Sequence, residues 1–124
     1  MKALTICQPY ADQIANGEKI IENRKWPTAV RGRVAIHAGK SLAWLESGDE
    51  AERPNMAFGA IVATAELYDC QRVDDLPLEL AERHDANGPF CFLLRDVRRV
   101  DPPIPARGAQ GWWETGLIEK VGHP

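Results

Sequence analysis

Three cysteines are all that the 124 residues hold, and they lie far apart at Cys7, Cys70 and Cys91. No Cys-x-x-Cys pair exists, which argues against a zinc knuckle. Each cysteine has apolar neighbours in sequence, such as Ile6 or the flanking Phe90 and Phe92, so buried structural thiols are expected. Long apolar runs are also missing. None approaches the roughly 20 residues that span a bilayer. The opening Met1-Lys2-Ala3-Leu4-Thr5-Ile6-Cys7 has too short an apolar stretch for a signal peptide, and a first strand in a cytoplasmic protein is expected instead. Repeats, low-complexity tracts and linkers are lacking too, and the length suits one domain over 1–124. A chain of this size buries a core without disulfides or metals.

A surplus of positive charge is absent as well. The net charge is -3, which counts against bulk nucleic-acid binding. The charge is uneven, however. Residues 1–40 carry seven lysines and arginines against Asp12, Glu18 and Glu22, a local excess of about four positive charges. Such asymmetry either marks a nucleic-acid face or is chance.

What is present centres on Gly17-Glu18-Lys19-Ile20-Ile21-Glu22-Asn23-Arg24, followed by Trp26-Pro27. If 18–24 is extended, Lys19, Ile21 and Asn23 share one face, and Ile20, Glu22 and Arg24 the other. Charges are costly to bury unpaired. Either Glu22 pairs with a cation and the strand lines a cleft, or the strand is a solvated edge.

Around this stretch, residues 2–7 read as a strand. Pro9 suits a first helical turn, and Gly17 closes that helix behind Tyr10 and Ile14. Arg31-Gly32 makes a turn, and 33–37 form a strand with Val34 and Ile36 on one face. Ser41 is an expected N-cap for a helix through Leu42, Trp44 and Leu45. Residues 47–57 read as loop or frayed helix. Residues 58–68 form the longest strand expected, broken by Glu66. A helix over 77–84 is expected to turn Leu78 and Ala81 inward. Residues 85–89 carry strong turn chemistry, and a buried strand opens at Phe90. Arg95, Asp96, Arg98 and Arg99 read as its solvated end, and Pro102–Pro105 as stiff extended chain. Trp112 and Trp113 should point oppositely, one into the core and one towards the cleft. Short strands, few helices and frequent turns suggest a mixed sheet curling into a small barrel.

The series Gly17-x-Lys19-x-x-Glu22-x-Arg24 resembles the signature of the ASCH domain. Gln8-Pro9-Tyr10-Ala11 precedes it, and Trp26, Arg31-Gly32 and Ile36-His37-Ala38 follow. Gly59, Ile61, Ala63, Glu66 and Gly108-x-Gln110-Gly111-x-Trp113 extend the resemblance over nearly the whole chain. It implies an α+β fold, a PUA-like small mixed-sheet β-barrel with a few flanking helices and a cleft at one side. It also implies binding of RNA or a modified nucleotide. The residues expected to hold the nucleic acid are Lys19, Arg24, Lys25, Trp26, Arg31 and Lys40. An alternative is a hydrolase. Small members of the family resembling an N4-acetylcytidine amidohydrolase use a lysine, a threonine three residues later and a glutamate from a later strand. Lys19 matches the lysine, Glu22 stands where the threonine would be, and Glu66 is the candidate glutamate by its strand position. Lys19, Glu22 and Glu66 are thus the candidate catalytic residues, with deacylation expected to be weak or absent. Other members are described as metal-dependent ribonucleases. A divalent metal is expected only on that reading, and otherwise no cofactor and no metal ligands. Protein recruitment is a further alternative.

For each residue a plainer role competes. Lys19 with Glu22 and Glu66 is either a lysine–carboxylate site or a structural ion pair. Arg24 either forks onto a phosphate or pairs with Glu22. Trp26 either stacks on a base or closes the barrel end. His37 is expected to be a satisfied sheet histidine, Tyr10 a helix-packing residue, and His84 a loop residue. Arg107 would bring a second cation towards the ligand, or Gly108 merely shapes a turn.

Overall fold

A computed structural model describes residues 1–43, 45 and 55–118. Six strands form one mixed sheet. They are β1 (Lys2–Ile6), β2 (Ile21–Arg24), β3 (Gly32–Ala38), β4 (Ala60–Arg72), β5 (Phe90–Pro105) and β6 (Trp112–Glu114). Their order across the sheet is β2-β5-β4-β3-β1-β6. Only β1 and β3 pair in parallel, a crossover that the helix α1 (Tyr10–Ala15) and β2 supply. A second helix, α2 (Leu78–Arg83), lies between β4 and β5. The α+β class and the mixed sheet agree with expectation.

The sheet curls because its long strands shift register. β4 and β5 change partners three times along their length, and such irregularities bend a strand and increase its twist. The curl brings the β2 edge back towards β1. There Arg24 Nη2 donates to the Thr5 carbonyl at 2.9 Å. Trp112 of β6 stacks on Phe92 of β5, with centroids 6.2 Å apart.

Burial follows the strand alternation. Val34, Ile36, Ala63, Ala65 and Leu67 face one side, where Ala11 and Ile14 of α1 cover them. Burying a side chain such as Ile14 is worth about 1.5–3 kcal/mol. A second cluster joins Ile21, Cys91 and Leu93 to Leu76 and to Leu80 and Ala81 of α2. A third lies on the opposite face, around Ala3, Ala35 and Ile61 with Trp113.

Several expectations need correction. Strand β2 begins at Ile21, not at residue 18. Gly17 takes φ +78°, and the amides of Glu18 and Lys19 both donate to the Gln13 carbonyl. Lys19 therefore belongs to the wrap that ends α1. Among the described residues no helix begins at Ser41. Its hydroxyl accepts from the Ala43 amide, and the chain turns there. Trp44 and most of 47–57 lie outside the described residues. Leu78 is 73% exposed, and Ala81 alone of the expected pair packs inward. The Arg95–Arg99 run sits in the middle of β5, which continues through Pro102 and Pro103 to Pro105. Both Trp112 and Trp113 are half-buried, on opposite faces of β6, and neither lines the cleft.

Candidate functional site

A cleft of about 1400 Å³ opens between β1 with α1 on one side and the α2 helix with its following loop on the other. Strand β2 forms its back wall, and local sequence explains why. Ile21 and Asn23 point one way. Ile21 enters the second cluster, while the Asn23 side chain donates to the Asp85 carbonyl and accepts from the amides of Asn87 and Gly88. Asn23 thus ties the 85–88 loop to the cleft wall. Glu22 and Arg24 point the other way, as the alternation requires.

Lys19 and Glu22 are both buried, at 8% and 9% exposure. Glu22 Oε2 meets Arg24 Nη2 at 3.1 Å. The Lys19 ammonium lies 5.7 Å from the centre of the Tyr10 ring, within cation–π range. Burial pushes Lys19 below the usual lysine value, against the pull of Glu22 and Asp85. Burial likewise pushes Glu22 above the usual carboxylate value, although Arg24 and Lys19 oppose it. For both groups desolvation outweighs the partner charges. Both charged forms are therefore less favourable here than they would be in water.

Arg24 divides its guanidinium between Glu22 and the Thr5 carbonyl. Its Nε is buried and has no partner among the described residues. Trp26, at 78% exposure, and Lys25 line the rim. Tyr10 packs on the core, as expected, and also lines the cleft.

Three expected site residues lie elsewhere. Glu66 projects from β4 on the face away from Ala65 and Leu67. It takes a bidentate pair of bonds from Arg95 Nε and Nη2, at 3.2 and 3.0 Å. That hydrogen bonding holds its carboxyl below the usual range. It is neither beside Lys19 nor raised in pKa. Arg31 braces the Thr28 and Val30 carbonyls and approaches Asp69 at 3.7 Å, outside the cleft. Lys40 lies at a second, smaller cavity. His37 is the satisfied sheet histidine expected, bonded to Thr5 Oγ1 and the Ala106 carbonyl.

Reading the chain alone missed the far wall. Arg83, His84 and Asp85 line the cleft opposite Lys19. Burial, with Arg83 and Lys19 adding to it, lowers His84, whose Nδ1 is buried without a partner among the described residues. The usable signal was Asn23, a loop-binding side chain set within a strand, together with the turn residues 85–88. Among the described residues no three histidine, cysteine or acidic side chains converge as a metal site.

The match to known proteins follows the same stretch of chain. The ASCH domain model matches residues 4–119. The chain belongs to the ASCH domain family. Activating signal cointegrator 1 of Homo sapiens is 24% identical over 125 residues, covering 90% of this chain and 22% of that protein. Its Mus musculus counterpart is 27% identical over 128 residues, with the same coverages. The chain thus spans about a fifth of the length of these curated relatives. An ASCH protein from Zymomonas mobilis is 18% identical, with a TM-score of 0.50 over 84% of this chain and 72% of that one. A point mutant of it, with the same coverages, gives 0.55. These likenesses establish the fold, a curled PUA-like sheet with two small helices. ASCH domains are generally associated with RNA binding. No described helix is long and apolar enough to cross a membrane.

Proposed function

We propose that this ASCH domain binds single-stranded RNA, or a modified nucleotide within it, in the cleft built on Gly17-x-Lys19-x-x-Glu22-x-Arg24. The observation that carries the reading is the gathering of Lys19, Arg24, Lys25 and the exposed Trp26 in one cleft. Cations there would meet phosphate, and the indole offers a face for a base. The unpartnered Arg24 Nε adds support. A buried donor without an acceptor costs about 1–3 kcal/mol, and a ligand oxygen would relieve it.

Fluorescence anisotropy with a short single-stranded RNA tests the reading. Affinity should fall steeply between 50 and 200 mM salt, as phosphate contacts require, and fall again in Lys19→Ala. Absence of RNA binding at either salt would overturn it. A protein partner captured from nuclease-treated extract would then favour recruitment.

The second reading, hydrolysis, is favoured by one observation: the opposed shifts of Lys19 and Glu22. On this reading Lys19 is the base that takes a proton from an attacking water, and Glu22 the acid that gives one to the leaving group. On this reading Glu22→Gln lowers turnover of RNA or acylated cytidine by about 10²–10⁴, while Glu66→Gln does not. No turnover in the wild type, with or without divalent metal, would leave only the binding reading.

A further inference from the structure

A cavity of about 430 Å³ lies beside the cleft. Lys40 forms one side of it, and Arg107, in the turn after β5, another. Both are exposed. Among the described residues, Arg107 is the one arginine with no hydrogen bond, ion pair or ring contact, since Arg24, Arg31, Arg33, Arg83, Arg95 and Arg98 meet carboxylates, Arg99 meets Asn16, and Arg72 lies over Phe90. Lys40 has no such partner there either.

The cavity floor is built for close approach. A Cβ on Gly108 would stand 2.7 Å from both His37 Cε1 and Thr5 Oγ1, and one on Gly59 2.7 Å from Lys40 Cε. His37 is used up in bracing this floor. Its Nε2 donates to the Ala106 carbonyl at 2.7 Å, and its Nδ1 pairs with Thr5 Oγ1 at 3.1 Å. Trp113 Nε1 donates to the same hydroxyl. Lys40, Arg107 and Gln110 are therefore the polar side chains left to meet a ligand, two of them cations.

Thr5 lines both cavities. Its carbonyl is held by Arg24 of the cleft, and its hydroxyl by His37 of the second cavity. The two cavities therefore meet at Thr5, and a strand seated in the cleft has a candidate route past the end of β1. We propose that it takes this route, and that Lys40 and Arg107 receive a phosphodiester group of the strand beyond the nucleotide held in the cleft. This deepens the RNA-binding reading and rests on it. The domain's ligand is then an oligonucleotide rather than a free nucleotide.

The test compares wild type with Lys40→Gln/Arg107→Gln on two probes: fluorescein-labelled oligouridylate of eight nucleotides, and uridine monophosphate by calorimetry. Both side chains are exposed, and circular dichroism checks that the fold persists. The octamer should lose affinity by about tenfold, and its log–log salt slope should shrink by about 0.7 for each phosphate contact removed. The monophosphate should lose far less. Equal losses on the two probes, or an unchanged octamer slope, would overturn the second subsite and leave the cleft reading standing. A wild-type protein that binds neither probe overturns both.

Discussion

Glu22 and Glu66 form the same contact and behave in opposite ways. Each sits on a strand and meets an arginine, Glu22 with Arg24 at 3.1 Å and Glu66 with Arg95 at 3.0 Å. Yet Glu22 is pushed above the usual carboxylate value and Glu66 below it. The difference is water. Glu22 lies at the back of a cleft at 9% exposure, where losing hydration costs more than Arg24 and Lys19 return. Glu66 lies on an open face, where its two hydrogen bonds from Arg95 decide the balance. An ion pair alone says little about a carboxylate's chemistry. Its exposure decides whether the pair is ordinary surface or tuned machinery.

The strongest way to break this comparison is to remove each arginine. Arg24→Ala removes the ion-pair partner of buried Glu22 and the bond that Arg24 donates to the Thr5 carbonyl. A loss of about 3–5 kcal/mol in urea denaturation is expected, the cost of breaking a buried ion pair by removing one partner. Arg95→Ala should barely move the same midpoint, since exposed pairs contribute little. Comparable losses from both would show that burial does not separate the two sites.

A smaller effect is expected at the rim. Trp26→Ala should cost about 1–3 kcal/mol of RNA affinity, the worth of one base–aromatic stack. The melting temperature should hardly change, because the ring is 78% exposed. A large fall in melting temperature would make the ring a structural closure of the barrel.

The finest comparison is in pH. The folded-state pKa of Glu22 is raised above 4.5, so its contribution to stability is full below 4.5 and is lost as pH rises through the folded value. The folded-state pKa of Glu66 is lowered, so its contribution is present above 4.5 and is lost as pH falls through the folded value. Urea midpoints over a pH series check both signs. Glu22→Gln should remove a decline above pH 4.5, and Glu66→Gln should remove a decline on the acid side. If both variants change the profile in the same direction, the assignment of causes fails.

Much of the fold was legible because alternation and turn chemistry are local. Val34 and Ile36 on one face, Gly32 at a turn and the apolar opening of β5 all follow from neighbours in sequence. The alternation of Ile21 and Asn23 against Glu22 and Arg24 was legible too, and it sets the cleft wall. The misreadings are long-range. Whether Glu66 faces Lys19 depends on how the sheet curls and on three register shifts between β4 and β5, none of which leaves a mark near residue 66. The spacing around Lys19 fits a strand. Gly17 instead wraps that segment onto the Gln13 carbonyl, a tertiary choice that periodicity does not record. The far wall at Arg83, His84 and Asp85 is brought in by hydrogen bonds from Asn23, more than sixty positions away in sequence.

The central claim is that the buried, tuned side of this comparison, and not the open ion-paired face, receives the nucleic acid. A titration of the isotopically labelled chain with single-stranded RNA, followed by amide chemical shifts, tests it most directly. The account predicts that the shifts concentrate at residues 19–26 and 83–88, with little movement around Glu66 and Arg95. Shifts centred on Glu66, Arg95 and Arg98, with residues 19–26 silent, would contradict it.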